Sequence, residues 1–284
     1  MLLDPSRPAV AYLLGLLQTD GWHSGNVGAK GKVGIELQER DVEVLRQVRS
    51  VIPCRSFLQR RRRQTNFADD YVSYTLQFFD QATRVELAAL GMTPGRKAYD
   101  LAPPDDVGLV HRDYLRGVLD GDGSVGFSRT GMPFISLVTA SEPLARFFEA
   151  KIWQVCGVRR LTRRNSRDRV FNVMVANRAA ATLAAYCWHP EAWPAIPRKA
   201  AAAAEVAAWA PPVERAGRYD VIRKPWTAAE DAIVLGCSPA ESAEVLGRTL
   251  KSVTVRRWRL RNDIRTGRRS PLGRDGEGAP APVE

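Results

Sequence analysis

Apolar positions run almost unbroken from Val10 to Leu17 and give way to Gln18, Thr19, Asp20 and Gly21, which predicts a buried helix ended by glycine. Val33, Ile35 and Leu37 alternate with smaller or charged residues, as in a strand with one covered face. Asp41 stands where it would cap a helix running to about Val51, which Pro53 closes. Ser56 to Arg62 and Tyr71 to Phe79 predict a hairpin around a polar tip, and Gln81 to Leu90 a helix that stops at Gly91. A second apolar helix then ends at Gly123. After it come a strand through Ile135 and Leu137, a helix from Ser141 to Val155, strands near Arg160 and Phe171, and a helix from Ala179 to Tyr186.

That second series repeats the first. Tyr12-Leu13-Leu14-Gly15-Leu16-Leu17-Gln18-Thr19-Asp20-Gly21 is echoed 102 positions later by Tyr114-Leu115-Arg116-Gly117-Val118-Leu119-Asp120-Gly121-Asp122-Gly123. The same offset relates Cys54 to Cys156, Arg61 and Arg62 to Arg163 and Arg164, and Arg96-Lys97 to Arg198-Lys199. One phase held by separated landmarks indicates a duplication, with repeats over 1–100 and 101–210. Pro211-Pro212 opens a linker, 211–222. A third module, 223–265, has a capped helix start at Trp226-Thr227 to Glu230-Asp231, a second helix from Ser238-Pro239 and a turn at Gly247-Arg248-Thr249 into a basic helix. The Gly-, Pro- and Arg-rich stretch 266–284 is expected to be disordered.

Charge narrows the partner. Lys plus Arg number 42 against 31 Asp plus Glu, a formal charge of +11 with an isoelectric point near 9.9, which favours a polyanion such as nucleic acid. The four cysteines form no C-x-x-C pair, so neither a disulfide framework nor a zinc site is expected. The apolar run after Arg7 lacks a cleavage pattern and no stretch is long enough to span a bilayer, so a cytoplasmic protein without membrane attachment is expected. With Met at position 1 and the repeat opening soon after it, self-splicing is not expected.

Leu13 to Gly21 and Leu115 to Gly123 resemble the nine-residue signature of the LAGLIDADG homing endonucleases, and their spacing resembles that of single-chain, two-repeat members. The resemblance implies an α/β (α+β) fold of two pseudo-symmetric αββαββα repeats whose signature helices pack together over a DNA-binding saddle, a monomer acting as a pseudo-dimer. Gly15 and Gly117 suit such a close helix approach. It further implies a metal-dependent endonuclease that hydrolyses both strands of double-stranded DNA with Mg²⁺ or Mn²⁺.

The acid before the final glycine is the family's metal ligand, which carries over to Asp20 and Asp122; each ends an apolar helix, where the negative end of the helix dipole favours a cation. Gln18 departs from the signature where Asp120 keeps its acid. Lys97 and Lys199 match the family's basic residue near the scissile phosphate, with Arg96 and Arg198 beside them, and Gln38 resembles a water-positioning residue of some relatives.

Arg60, Arg61, Arg62 and Arg63 in one hairpin, and Arg159, Arg160, Arg163, Arg164, Arg167 and Arg169 in its counterpart, read as DNA-contacting ribbons. His23, His111 and His189 lack metal-site spacing and read as structural. The third module resembles a Myb/SANT-like helix-turn-helix, whose last helix would bring Lys251, Arg256, Arg257, Arg259 and Arg261 to the major groove. Two other functions remain open: a non-cleaving transcription regulator on the same scaffold, which has no chemical need for paired acids and lysines, and an intron RNA maturase.

Overall fold

The computed structural model describes residues 2–65, 68–95, 98–104, 108–211 and 226–265. The chain divides into two compact units, Met1–Tyr219 and Asp220–Glu284. Within the first, α1 (Pro8–Thr19) leads directly into β1 (Gly21–Gly25) and β2 (Gly31–Gln38). A 3-10 turn (Glu39–Asp41), α2 (Val42–Arg49), the hairpin β3 (Ser56–Thr65) and β4 (Ala68–Phe78), and α3 (Gln81–Ala89) complete the repeat. The second repeat runs α4 (His111–Asp122), β5 (Gly123–Phe127), β6 (Pro133–Thr139), α5 (Glu142–Cys156), β7 (Phe171–Ala176), α6 (Arg178–Cys187) and α7 (Pro197–Ala207). One antiparallel sheet has the order β1-β2-β4-β3, the other β5-β6-β7.

The signature helices pack backbone to backbone. A Cβ added at Gly15 would lie 2.2 Å from the Tyr114 carbonyl oxygen, and one at Gly117 would lie 2.2 Å from that of Tyr12. Both distances are shorter than any tolerated contact, so no residue larger than glycine fits the crossing. Around it Leu13, Leu14, Leu16, Leu17, Leu115, Val118 and Leu119 are buried and join the covered faces of both sheets in one continuous core.

Two hydrogen bonds repeat across the pair under the pseudo-symmetry. The Tyr12 hydroxyl donates to Asp120 Oδ2 at 2.7 Å, and the Tyr114 hydroxyl donates to Gln18 Oε1 at 2.5 Å. The mismatch between Gln18 and Asp120 follows from their other partners. Gln18 Nε2 donates to the carbonyls of Leu90 (3.3 Å) and Ala102 (3.0 Å), whereas Asp120 Oδ2 accepts from the Ile196 amide (2.8 Å). An ionised Asp could not serve two carbonyls, so the amide at position 18 suits its site.

Two expectations are corrected. Residues near Arg160 form no strand, leaving the second sheet with three. The Met174 carbonyl accepts from Arg160 Nε at 3.0 Å, and the Thr162 amide donates to Glu149, so side chains occupy groups that a strand ladder would use. Asp41 does not cap α2 through its side chain; its carboxylate instead receives Arg198, with Nε at 2.9 Å and Nη2 at 2.8 Å. Ser141, by contrast, caps α5 as expected, accepting from the Leu144 amide at 3.2 Å.

The second unit contains α8 (Ala228–Gly236), α9 (Pro239–Leu246) and α10 (Leu250–Arg265). Thr227 with Glu230, and Ser238 with Glu241, form reciprocal capping boxes. Gly247 ends α9 at φ 57°, a left-handed conformation that glycine adopts without strain. Val234, Val253 and Leu260 make its small core, with Trp226 and Leu246 against them.

Candidate active site and nucleic-acid interface

Asp20 is the C-cap of α1, its amide bonded to the Leu16 carbonyl at 3.0 Å, and Asp122 is the last residue of α4. Packing brings these helix ends together. A Cβ at Gly121 would lie 2.0 Å from Thr19 Oγ1 and 3.5 Å from the Asp20 carboxyl carbon, so Asp20 lies beside the residue that precedes Asp122. Asp20 is half-buried and Asp122 exposed. A cavity of about 140 Å³ adjoins Asp122, lined also by Thr19, Thr139 and Ala140 among others.

Carboxylates at two adjoining helix ends are a hard, anionic oxygen set of the kind that Mg²⁺ or Mn²⁺ takes. Among the described residues no cluster of three or more His, Cys, Asp or Glu gathers, so a cation held by Asp20 and Asp122 would complete its shell with water or phosphate oxygens. The donor chemistry of Asp20 and Asp122 fits a hard divalent cation.

Lys199 is 8% exposed, and its ammonium is wrapped by the end of α4. Nζ donates to the carbonyls of Leu119 (2.8 Å), Asp120 (2.6 Å) and Gly123 (2.8 Å). A cation here satisfies orphaned carbonyls and the negative helix end together. Burial lowers its pKa, opposed by the nearby charge of Asp120. Arg198 is spent on Asp41, and that hydrogen bond raises its pKa. Lys97 and Arg96 lie outside the described residues. Gln38 ends β2, half-buried and paired in register with Ser73.

Asp120 is enclosed, and burial raises its pKa to about 6 despite hydrogen bonds from Ile196 and Tyr12 and the charges of Lys199 and Arg116. Arg116 is fully buried, paired with Asp113 at 2.6 Å and lying 5.1 Å from the centre of the Tyr12 ring. This charged network beneath the helix crossing was invisible in sequence, because the partners that bury Arg116 and Asp120 come from distant parts of the chain.

The first sheet turns one face away from the core. Glu36, Arg61, Arg63, Ser73 and Thr75 share that face, while Ile35, Leu37, Leu76 and Phe78 alternate onto the core side. Arg60 and Arg62 alternate to the side opposite Arg61 and Arg63, pairing with Glu39 at 3.2 Å and with Asp70. In the second repeat Arg160, Arg163, Arg164, Arg167 and Arg169 are all exposed. Arg164 lies 4.9 Å from the Phe171 ring centre, and Arg169 adopts a positive φ of 56°. The matching sheet face there is far less charged, with Val138 and Met174 exposed.

In the second unit Lys251, Arg259 and Arg261 are exposed on α10. Arg256 and Arg257 are engaged internally: Arg256 pairs with Asp231 at 2.6 Å, and Arg257 Nη1 donates to the Cys237 carbonyl at 2.5 Å. The reading by charge passed over Val255 and Trp258, which are exposed on this helix.

The architecture is α+β, with two antiparallel sheets and a C-terminal helical region, and residues 110–179 match the LAGLIDADG-like domain. Solved structures similar to this chain include mesophilic variants of the homing endonuclease I-DmoI (13% identity, TM-score 0.46, covering 70% of this chain and 97% of that one). The homing endonuclease I-WcaI bound to its DNA recognition sequence is also similar (11%, 0.49, 70% and 85%), as is full-length DUF199/WhiA from Thermatoga maritima (11%, 0.43, 92% and 92%). No curated protein of matching sequence was found. No helix among the described residues is long and apolar enough to cross a membrane.

Proposed function

We propose that this protein is a site-specific endonuclease that hydrolyses both strands of double-stranded DNA. The observation that carries the reading is the approach of the two helix ends, which sets Asp20 against Gly121, the residue before Asp122. Two carboxylates related by pseudo-symmetry suit two strands related by the near-twofold symmetry of a duplex. Asp20 and Asp122 would hold Mg²⁺ or Mn²⁺, which when bound supplies an acidified water and offsets charge on the phosphate. Lys199 fixes the end of α4, so the position of Asp122 is set before DNA arrives. The polar face of the first sheet and the exposed arginines of the second repeat supply the cationic surface.

One observation favours a second reading, a non-cleaving DNA-binding regulator: the Lys199 ammonium is held by backbone carbonyls rather than presented to a substrate. A randomised duplex library incubated with the full chain in Mg²⁺, Mn²⁺ or EDTA separates the two. The nuclease yields a recurrent cut site only with metal, and Asp122→Asn abolishes cutting, by at least about a hundredfold, while affinity changes little. A chain that enriches one site and never cuts it in either metal is the regulator.

A further inference from the structure

On the outward face of the first sheet one carboxylate organises two arginines. Glu36 lies on β2, opposite Thr75 in the register with β4. Its Oε1 accepts from the Ser73 hydroxyl and from Arg63 Nη2, both at 2.7 Å. Its Oε2 faces the Thr75 hydroxyl at 3.5 Å and Arg61 Nη1 at 3.9 Å. Arg63 is also flanked by an aromatic ring, its guanidinium carbon 5.3 Å from the centre of Tyr71. The Glu36 side chain is 18% exposed, whereas those of Arg61 and Arg63 are 43% and 50% exposed. The carboxylate thus sits low in the sheet and the guanidinium groups stand above it.

A negative charge on a surface that meets phosphates opposes binding, so its presence here calls for a return. We propose that Glu36 is a specificity-determining positioning residue. It fixes the guanidinium of Arg63, with Arg61 beside it, so that the arginine reads guanine in the major groove. The proposal rests on the DNA-binding reading above. Guanine offers O6 and N7 to the planar fork of an arginine, and that bidentate contact needs a defined guanidinium plane. Glu36 does not itself read a base, because both of its oxygens face donors from this chain. Arg60 and Arg62 differ: they lie on the other side of the sheet, and their acidic partners, Glu39 and Asp70, are about half exposed.

The second repeat lacks the carboxylate at the matching position. The position 102 residues after Glu36 is Val138, which is exposed. The guanine preference set by Glu36 therefore falls in the half of the DNA site that faces the first sheet.

The test recovers bound duplexes from a randomised library in EDTA, using the full chain, Glu36→Gln and Arg63→Lys, with melting curves confirming that each variant folds. The wild type selects guanine at one or two positions in one half-site. Glu36→Gln, which removes a charge that repels DNA, binds random duplex as well as or better than the wild type. It nonetheless loses about tenfold of the preference at those positions and none elsewhere. Arg63→Lys keeps the charge, loses the fork and relaxes the same positions. An unchanged profile in Glu36→Gln, or an equal loss at every position, overturns the proposal. A wild type that leaves its selected site uncut when Mg²⁺ or Mn²⁺ is then supplied removes the nuclease reading and leaves this inference standing; one that binds no duplex removes both.

Discussion

Asp120 is a carboxylate held where charge is costly, and the cost can be read from pH. Its pKa is pushed up to about 6 in the folded chain from 3.8. Between about pH 4 and pH 6 the unfolded chain has released this proton while the folded chain keeps it, so folding becomes less favourable as pH rises through that window and levels off above it. The total loss from this group is roughly 2 to 3 kcal/mol. Asp120→Asn keeps an oxygen for Tyr12 and Ile196 and removes the titration. Urea denaturation from pH 4 to pH 8 is expected to show the variant less stable relative to wild type at the acid end than at the neutral end. Parallel curves would show that Asp120 is ionised throughout. The sequence marked this residue only as the acid that Gln18 lacks. Its partner Tyr12, the buried Arg116 below it and the backbone of Ile196, 76 residues away, are set by the helix crossing and the chain's return, which no local pattern carries.

At the scale of elements, α1 and α4 were the most legible parts of the chain, because a ten-residue motif repeated in phase fixes both their type and their close approach. The asymmetry inside the crossing is finer. Thr19 of α1 faces Gly121 of α4, positions that correspond under the repeat. Gly121→Ala places its Cβ 2.6 Å from Thr19 Cβ and 2.0 Å from Thr19 Oγ1, and is expected to cost about 1 to 3 kcal/mol by overpacking. Thr19→Gly removes both obstructing atoms, so the double variant should be more stable than the sum of the single changes allows, by about 1 kcal/mol or more in a thermodynamic cycle. Additive losses would mean that the helices separate instead of clashing.

The elements that sequence misjudged share one cause: a side chain took over a backbone's partner. Arg160 occupies the carbonyl that a fourth strand would have used, and Arg198 draws Asp41 away from capping. Arg256 and Arg257 look like groove-facing cations in sequence, yet each closes a contact within the small helical unit. Charge patterning shows where arginines are but not which are already paired, and pairing decides which can meet DNA.

Each of the two units has its own core, and the cores differ greatly in size. The larger joins the apolar faces of two sheets and the helices packed on them; the smaller rests on Val234, Val253 and Leu260 with Trp226 at its edge. So small a core supplies little stability by itself. Polar contacts make up the difference: Arg248 lies 3.9 Å from the Trp226 ring centre and pairs with Glu230 at 3.0 Å, each of the two side chains only 10% exposed. A charged pair so far out of water depends on its partner, since removing the cation leaves a buried carboxylate uncompensated. Calorimetry of the full chain is therefore expected to show two transitions, with the small unit melting first. Arg248→Met should lower that first transition by roughly 5 to 10 °C and leave the second in place. A single transition that Arg248→Met shifts as a whole would show that the units fold as one cooperative body.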